Sequence, residues 1–330
     1  MSITVKNTGK NPNNIRALAL DLDGTTLAPG AVLSERTIRA VKKCSQKGLR
    51  IIIATGRALE SVEPYRKSLA IEGPVICFNG ALVTDMPKGD IISCTLLNKE
   101  AVEFCVDLSR EMGAYFQAFF PSAGSACGTV NIKMPIIAER DGPELDFYYA
   151  NSGLRPEIAD LKEILRRPGL KGCLKVMFIA ESEAMAVLRP KLDEHFGGSA
   201  YIAKTMPTYL EIMNAEVSKG QALKLVMEHY SLRSEEVIAF GDEENDLPMF
   251  AAAGFSVAPS NAKENVKSAA NMIVDSNADD GVAAFLEDFF GLGTDHYPWG
   301  QTINPFSRSY RGTEHHLPQL PLDKNQVFTQ

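Results

Sequence analysis

Two aspartates separated by one residue, Asp21 and Asp23, have the clearest potential for chemistry. They follow an apolar run at residues 17–20, and Gly24 comes directly after them. In an extended chain the two carboxylates would point to the same side, and Gly24 would let the chain turn with its amides exposed towards an anion. Adjacent carboxylates repel each other and are costly to bury unless a cation such as a divalent metal is present. Taken alone, the pattern fits an Asx-turn or a capping loop better than a catalytic site.

A second polar group, formed by Thr55, Gly56 and Arg57, follows the apolar residues 51–54 and precedes a helical pattern. A threonine at this point can cap the helix, which is its ordinary role. The same hydroxyl and the helix N-terminus can also bind a phosphate. Taken alone, the pattern favours the capping interpretation.

Lys219 opens a predicted helix that follows the apolar residues 209–213. A single lysine is usually a solvated surface residue. At the start of a helix, however, its charge gains nothing from the helix dipole. This position therefore favours an anionic partner, either a phosphate or the Asp21 carboxylate.

A run of acidic and amide side chains follows the apolar residues 237–240. Its residues are Gly241, Asp242, Glu243, Glu244, Asn245 and Asp246. One or two carboxylates in a first helical turn are normal caps, but four acidic residues in one loop exceed that need. Mg²⁺ prefers hard oxygen ligands and usually takes one or two carboxylates. Asp21 and Asp242 are the best such pair, with the Asp23 carbonyl as a third ligand.

The elements that must position these groups are short apolar runs alternating with helical patterns. Runs that are apolar on both faces indicate buried strands of a parallel sheet. The predicted strands are 17–20, 51–54, 75–78 and 237–240, and the predicted helices include 58–68, 219–229, 247–253 and 281–290. This order predicts an α/β fold with a doubly wound, Rossmann-like parallel sheet, in which reactive groups gather at the carboxyl ends of the strands.

The pattern of the middle of the chain is less regular and predicts a second, inserted α+β domain. The expected division is a flexible arm at 1–14, a core at 15–81 and 208–292, an inserted cap domain at 82–207 and an irregular tail at 293–330. The tail contains four prolines and no stable period, which is typical of an irregular segment.

Composition excludes several classes of protein. The 330 residues, 45% of them hydrophobic, suit a globular chain of two domains. The net charge of -7 argues against broad binding to nucleic acid or anionic membranes. The six scattered cysteines form no CxxC motif, and we find neither a signal peptide nor a membrane span. These features predict a cytoplasmic protein with reduced thiols, a monomer or small homo-oligomer.

Four motifs together make the pattern specific. They read DLDGTT, ATGR, VSKG and GDEENDLPMF in chain order. They resemble the four signature motifs of the haloacid dehalogenase (HAD) superfamily of phosphatases, and more closely those of its Cof-type sugar-phosphatase branch. That branch has an α/β cap inserted between the second and third motifs. The resemblance covers the core nearly end to end, the cap by position, and the tail after about Gly293 not at all. The family usually has Ser where Glu243 stands.

The resemblance implies a Mg²⁺-dependent phosphatase acting on a small phosphorylated metabolite, with a role for each matching residue. Asp21 would be the nucleophile that forms an aspartyl-phosphate, and Asp23 the general acid and base. Thr55 and Lys219 would stabilise the phosphoryl oxygens. The metal ligands would be Asp21, the Asp23 carbonyl and Asp242, with Asn245 and Asp246 orienting the metal shell and Lys219.

Substrate contacts are expected from Gly56, Arg57, Asn79, Gly80 and Asn245, although Asn79 and Gly80 fit a tight turn equally well. The cap would close over the site and select the leaving group. The aromatic residues 119–120 and 147–149 could line a pocket, but such clusters are more often core, so we assign no substrate contact to a cap residue.

Two other functions are compatible with these residues. One is a phosphotransferase or phosphomutase of the same fold, similar to phosphomannomutases, which the sequence does not exclude. The other is a catalytically silent sugar-phosphate sensor, suggested by the tail and its pair His315 and His316. The sensor is disfavoured because every catalytic position is intact and binding alone would not need both Asp21 and Asp23.

Overall fold

The computed structural model describes residues 11–122, 133–293 and 302–303. Within them, the α-helices are α1 (Glu35–Gln46), α2 (Leu59–Ser68), α3 (Lys99–Met112), α4 (Pro143–Ser152), α5 (Leu161–Leu165), α6 (Ser182–Phe196), α7 (Lys219–His229), α8 (Leu247–Ala252), α9 (Glu264–Ala269) and α10 (Gly281–Phe289). The strands are β1 (Ala17–Leu20), β2 (Leu33–Ser34), β3 (Arg50–Ala54), β4 (Gly73–Cys77), β5 (Leu82–Met86), β6 (Asp90–Cys94), β7 (Leu97–Asn98), β8 (Tyr115–Phe119), β9 (Ile136–Ala138), β10 (Glu157–Ile158), β11 (Gly172–Cys173), β12 (Lys175–Ile179), β13 (Ala200–Met206), β14 (Tyr209–Asn214), β15 (Val237–Phe240), β16 (Phe255–Pro259), β17 (Met272–Val274) and β18 (Thr302–Ile303).

The larger sheet has eight strands in the order β17-β16-β15-β1-β3-β4-β5-β6. The strands from β17 to β4 pair in parallel. β5 and β6 extend the sheet in the antiparallel sense. The expected α/β fold with a mostly parallel sheet is confirmed.

Helices cover both faces of this sheet. Leu18 and Leu20 of β1 belong to a buried cluster that includes residues of α1, α2 and α10. The alternate residues, Ala17 and Ala19, pack in a separate cluster with α7, α8 and α9. Because successive side chains of a strand point to opposite faces, these clusters lie on the two sides of the sheet. The arrangement is the doubly wound one that the alternation of strands and helices predicts.

The second sheet has six strands in the order β10-β9-β8-β12-β14-β13. Val176 and Phe178 of β12 point to one face and pack with residues of α3, α5 and α6. Residues on the other face line a cleft shared with the carboxyl ends of the parallel strands. The second sheet therefore lies across the site described below.

The expected boundaries of the inserted segment, 82 and 207, need correction at both ends. β5 and β6 pair with β4 and so belong to the larger sheet. β14 was expected in the core but pairs with β12 and β13 of the second sheet. By sheet membership the insertion runs over residues 95–214. The periodicity of a strand indicates which of its side chains are buried, but not which strand it pairs with. Both boundaries were misplaced because they depend on strand pairing.

The two ends of the chain are described only in part. In the expected N-terminal arm, Pro12–Asn14 forms a short 3-10 turn, and the Asn11 side chain accepts a hydrogen bond from the Asn13 amide at 3.0 Å. In the expected tail, β18 pairs antiparallel with β2. The pair His315 and His316 lies outside the described residues, as do residues 1–10. Within the described part of the chain, no helix has the length and apolar character needed to cross a membrane.

Candidate active site

Four neighbouring parallel strands bring the predicted groups to one edge of the larger sheet. Asp21 directly follows β1, and Thr55 directly follows β3. Asn79 and Asp242 are the second residues after β4 and β15. The strands lie in the order β15-β1-β3-β4, so the side chains meet at their carboxyl ends, where open α/β sheets bind ligands.

Lys219 connects two buried carboxylates. It is the first residue of α7, and its Nζ donates to Asp21 Oδ1 at 2.6 Å and to Asp246 Oδ1 at 2.7 Å. The Lys219 side chain is only 2% exposed. Its helix is capped by Ser218, whose hydroxyl accepts from the Gln221 amide. Lys219 therefore has two anionic partners, Asp21 and Asp246.

Asp246 hydrogen-bonds both Lys219 and the loop that contains Asp242. Its Oδ1 accepts from Lys219, and its Oδ2 accepts from the amides of Asp242 and Glu243 at 2.9 and 3.0 Å. A Cβ on Gly241 would lie 2.4 Å from the Asp246 side chain, so this position has no room for a larger residue. Both carboxylate oxygens of Asp246 are thus engaged, one by Lys219 and the other by the amides of the loop.

Asp242 lies against the loop that follows Asp21. Its Oδ1 accepts a hydrogen bond from the Thr25 hydroxyl at 2.7 Å. Gly24 adopts a left-handed conformation with φ of +76°, and a Cβ there would lie 2.1 Å from Asp242 Oδ2. The expected turn at Gly24 is present, and it allows the two strand ends to approach each other closely. The Thr26 hydroxyl fixes the same loop by donating to the Asp21 carbonyl at 2.5 Å.

Burial and repulsion disfavour negative charge on these carboxylates. Burial is the main cause that raises the pKa of Asp21, Lys219 offsets part of the effect, and Asp246 and Asp242 add to it. Burial also raises the pKa of Asp242 to about 6, with further contributions from Asp246 and Glu243. For Lys219, burial acts to lower the pKa, but Asp21 and Asp246 outweigh it and raise the pKa above its ordinary value.

The cluster has the chemistry of a divalent cation site. Carboxylate oxygens of Asp21, Asp242 and Asp246 lie within 4.8 Å of one another. Only one ammonium, that of Lys219, contacts this group within the described part of the chain. When ionised, the three carboxylates therefore carry an excess of two negative charges in a buried position, which favours a hard divalent cation. Since both oxygens of Asp246 already accept hydrogen bonds, Asp21 and Asp242 are the side chains best placed to act as ligands.

Asp23 has a different environment. Its side chain is 53% exposed and forms a bidentate ion pair with Arg57. Arg57 Nε donates to Oδ2 at 2.7 Å, and Nη2 donates to Oδ1 at 2.6 Å. Asp23 and Asp21 both line the cleft, as the alternation predicts. Arg57, expected to contact substrate, contacts Asp23 and also lines the cleft.

Thr55 does not cap the following helix. The N-cap of α2 is Ala58, which makes no side-chain capping bond. The buried Thr55 hydroxyl accepts from the Arg57 amide at 3.2 Å and lines the cleft with Gly56. The structure thus removes the capping interpretation that the sequence favoured for Thr55 and leaves its hydroxyl at the site.

Asn79 and Asn245 face each other across the site. Asn245 Nδ2 donates to Asn79 Oδ1 at 2.9 Å. The remaining amide atoms, Asn79 Nδ2 and Asn245 Oδ1, are buried without a hydrogen-bond partner among the described residues. Phe78, Asn79 and Gly80 all have positive φ and form a tight turn, as the turn interpretation of Asn79 and Gly80 predicts. Gly80 is absent from the cleft lining. A Cβ at this position would lie 2.6 Å from the Ser218 carbonyl oxygen, so the glycine allows the turn to pack closely against Ser218.

The cleft has a volume of about 1150 Å³ and is lined by both sheets. From the second sheet and its surroundings it includes side chains to which we assigned no substrate contact, namely Phe119, Tyr148, Lys175, Tyr201 and Glu211. A signal for two of them is present in the sequence, since Lys175 and Glu211 are single charged residues within otherwise apolar strands. A charge in a buried strand needs a partner or a function.

Comparison with known proteins gives consistent matches. Residues 18–286 match the family model of the haloacid dehalogenase-like hydrolases. The chain is 29% identical to the 5-amino-6-(5-phospho-D-ribitylamino)uracil phosphatase YitU of Bacillus subtilis, over 83% of this chain and 97% of that protein. It is 29% identical to the HMP-PP phosphatase of Cronobacter sakazakii, over 74% of this chain and 84% of that protein. The crystal structure of TM0651 from Thermotoga maritima superposes with a TM-score of 0.72 at 30% identity, covering 83% of this chain and 97% of that one.

Proposed function

Because this chain belongs to the haloacid dehalogenase-like hydrolases and is a Cof-type phosphatase, we propose that it hydrolyses a small sugar phosphate with Mg²⁺ through an aspartyl-phosphate on Asp21. The observation that carries the proposal is the environment of Asp21. Its carboxylate is buried at the base of the cleft, Lys219 binds Oδ1, and Oδ2 makes no hydrogen bond among the described residues.

Asp21 acts as the nucleophile. A bond forms between one of its carboxylate oxygens and phosphorus, and the bond from phosphorus to the leaving oxygen breaks. Lys219 holds the carboxylate in place and counters its charge, and its own orientation is fixed by Asp246. Thr55 and Lys219 stabilise the charge on the phosphoryl oxygens, which is the main contribution that a protein can make to phosphoryl transfer.

Asp23 acts as general acid and then as general base. It donates a proton to the departing alkoxide, and in the second step it accepts a proton from the water that attacks the phosphorus of the aspartyl-phosphate. The second attack releases inorganic phosphate and restores the Asp21 carboxylate. Asp23 is half exposed in the cleft and therefore accessible to a leaving group.

Mg²⁺ would be held by Asp21, the Asp23 carbonyl and Asp242, with Asn245 and Asp246 orienting this shell. The donor set supports this assignment, because the buried carboxylates outnumber the one ammonium and Asp242 retains an oxygen without a hydrogen bond among the described residues. When bound, the ion would neutralise the carboxylates and the charge on the phosphoryl group.

Substrate contacts are assigned to Gly56, Arg57, Asn79 and Asn245, which line the cleft. The unpaired atoms Asn79 Nδ2 and Asn245 Oδ1 offer one donor and one acceptor to a bound substrate. Buried polar atoms without a partner are rare and call for an explanation, which a ligand would provide. Gly80 lies outside the cleft lining and is assigned no substrate contact.

Two relatives support the substrate class, because each is named as a phosphatase of a small phosphorylated metabolite. We extend this to a sugar phosphate for the present chain. The proposal includes a cytoplasmic location, in keeping with five free cysteines among the described residues, and a monomeric or small homo-oligomeric state.

The test is phosphate release from a panel of sugar phosphates, nucleotides, pyridoxal phosphate and flavin mononucleotide, with Mg²⁺ and with a chelator. We expect release that requires Mg²⁺, needs no acceptor sugar and is abolished in Asp21→Asn. A matched control is Asp90→Asn, which alters an exposed aspartate on β6. Release that requires an acceptor sugar would identify a phosphotransferase, and unchanged turnover by Asp21→Asn would refute the nucleophile.

A further inference from the structure

A charged pair lies on the face of the second sheet that lines the cleft. Lys175 and Met177 of β12 line the cleft, whereas the alternating residues Val176 and Phe178 pack on the opposite face. Glu211 stands opposite Met177 on the neighbouring strand β14. Lys175 Nζ donates to Glu211 Oε1 at 2.6 Å. The pair thus forms part of the lining of the cleft that also contains Asp21.

Both members are almost completely buried. Their side chains are 5% and 6% exposed. A buried ion pair is weak evidence for stability, because the cost of removing two charges from water commonly equals their attraction, and apolar replacements are often neutral or stabilising. The presence of this pair in two apolar strands therefore points to a use in binding.

The pair retains unused hydrogen-bonding capacity. Among the described residues, the bond between them is the only one that either side chain makes, so Glu211 Oε2 and two N–H groups of Lys175 remain available. An ammonium and a carboxylate side by side offer donors and an acceptor with no net charge. A hydroxyl group matches this combination, because it accepts from the ammonium and donates to the carboxylate.

The surroundings strengthen such contacts. Lys175 Nζ lies 4.7 Å from the ring centroid of Phe119 and 5.5 Å from that of Phe78. Tyr148 lies in edge contact with Phe119, with ring centroids 6.1 Å apart. Phe119 and Tyr148 line the same cleft. Hydrogen bonds to charged groups are stronger beside apolar walls, and these rings offer surfaces for the carbon skeleton of a ligand.

We propose that Lys175 and Glu211 are specificity-determining residues that bind hydroxyl groups of the leaving group. This inference rests on the proposed phosphatase function and adds to it the residues that distinguish a polyol from an alkyl group. Lys175 donates to a hydroxyl oxygen, and Glu211 accepts from the same hydroxyl or from its neighbour.

The experiment compares kcat/KM for substrates that differ only in hydroxyl groups. The pairs are ribitol 5-phosphate with n-pentyl phosphate, and glucitol 6-phosphate with n-hexyl phosphate. The variants are Glu211→Gln and the double variant Lys175→Met/Glu211→Met, which removes both charges and so avoids an unpaired buried ion. We expect the wild-type preference for the hydroxylated ester of at least one pair to fall about 10- to 100-fold in both variants.

A matched control is Lys191→Met, which removes a lysine from the exposed ion pair with Glu111. This variant should keep the wild-type preference. Equal losses of kcat/KM for both members of a substrate pair would assign Lys175 and Glu211 a structural role and overturn the inference. An unchanged preference for the hydroxylated ester in the variants, or the absence of that preference in the wild type, would also overturn it. Those outcomes leave Mg²⁺-dependent release from p-nitrophenyl phosphate intact, whereas no release from any ester would refute the proposed function itself.

Discussion

Arg57 binds both carboxylate oxygens of Asp23, at 2.7 and 2.6 Å. The guanidinium group matches a carboxylate geometrically and pairs with its ionised form. A general acid, in contrast, must carry a proton when the leaving group departs. In the proposed mechanism the two residues therefore separate during turnover, and Arg57 then becomes available to the substrate.

Replacing Asp23 should slow both chemical steps. We predict that Asp23→Asn lowers kcat for alkyl phosphates about 10²- to 10⁴-fold, the range of general acid-base catalysis. With p-nitrophenyl phosphate, whose leaving group needs no proton, we expect a burst of one nitrophenolate per active site before slow turnover. Stopped-flow absorbance measures the burst, and steady turnover at the wild-type rate would contradict the role of Asp23.

Replacing Lys219 should affect stability and activity together. Lys219→Met leaves Asp21 and Asp246 buried without their cation, which should cost about 3–5 kcal/mol in the free energy of unfolding of the metal-free protein. Activity should fall about 10²- to 10³-fold as the electrostatic stabilisation is lost. Urea unfolding and kinetics check both effects. Lys224→Met, on the exposed side of the same helix, should change neither.

The approach of Gly24 to Asp242 predicts a metal-binding defect. In Gly24→Ala the new Cβ would lie 2.1 Å from Asp242 Oδ2, so the carboxylate must move. Gly30 has nearly the same φ, +77°, but its Cβ would be 3.9 Å from its nearest neighbour. Both variants should lose about 1–2 kcal/mol from the left-handed backbone. Only Gly24→Ala should need more Mg²⁺ for half-maximal activity, and equal Mg²⁺ requirements would contradict the ligand role of Asp242.

The raised pKa of Asp242 predicts how stability depends on pH. Because burial raises its pKa from 3.8 to about 6, the folded metal-free protein binds more protons than the unfolded chain between these values. The free energy of unfolding therefore falls as pH rises through this window and Asp242 ionises. Bound Mg²⁺ should offset the cost of burying the ionised Asp242 carboxylate.

Saturating Mg²⁺ should consequently raise Tm more at about pH 7.5 than at about pH 5, where protons compete for the carboxylate. Differential scanning calorimetry with and without Mg²⁺ measures the two shifts. Asp242→Asn should remove most of the difference. Equal shifts at both pH values in the wild type would contradict the assignment of Asp242 as a ligand.

The sequence was sufficient to predict the elements that carry the site. The bounds of β1, β15 and α7 agree with the predicted ranges 17–20, 237–240 and 219–229. These elements are short apolar runs or capped helices with local signals at both ends, so local chemistry determines them. The parallel pairing of β1 with β15 then brings Asp21 and Asp242 to one edge of the sheet, where Lys219 contacts Asp21.

The features that escaped prediction depend on contacts between distant parts of the chain. The strand character of β5 and β14 is local, but their sheet membership depends on hydrogen bonds to other strands. The contact between Lys175 and Glu211 joins the neighbouring strands β12 and β14. The ion pair of Arg57 with Asp23 joins the loops that follow β3 and β1. Neither pair has a local signature beyond a charged residue in an unexpected place.

The central claim is that Asp21 carries the phosphoryl group during turnover. The most direct measurement is mass spectrometry of Asp23→Asn, quenched with acid during turnover of p-nitrophenyl phosphate with Mg²⁺ and digested with pepsin at acid pH, where an acyl phosphate survives longest. The fragment to follow is the one that contains Asp21. We predict that this fragment gains the mass of one phosphoryl group and that fragmentation assigns it to Asp21. Turnover without phosphorylation of this fragment, or with the group on another residue, would contradict the account.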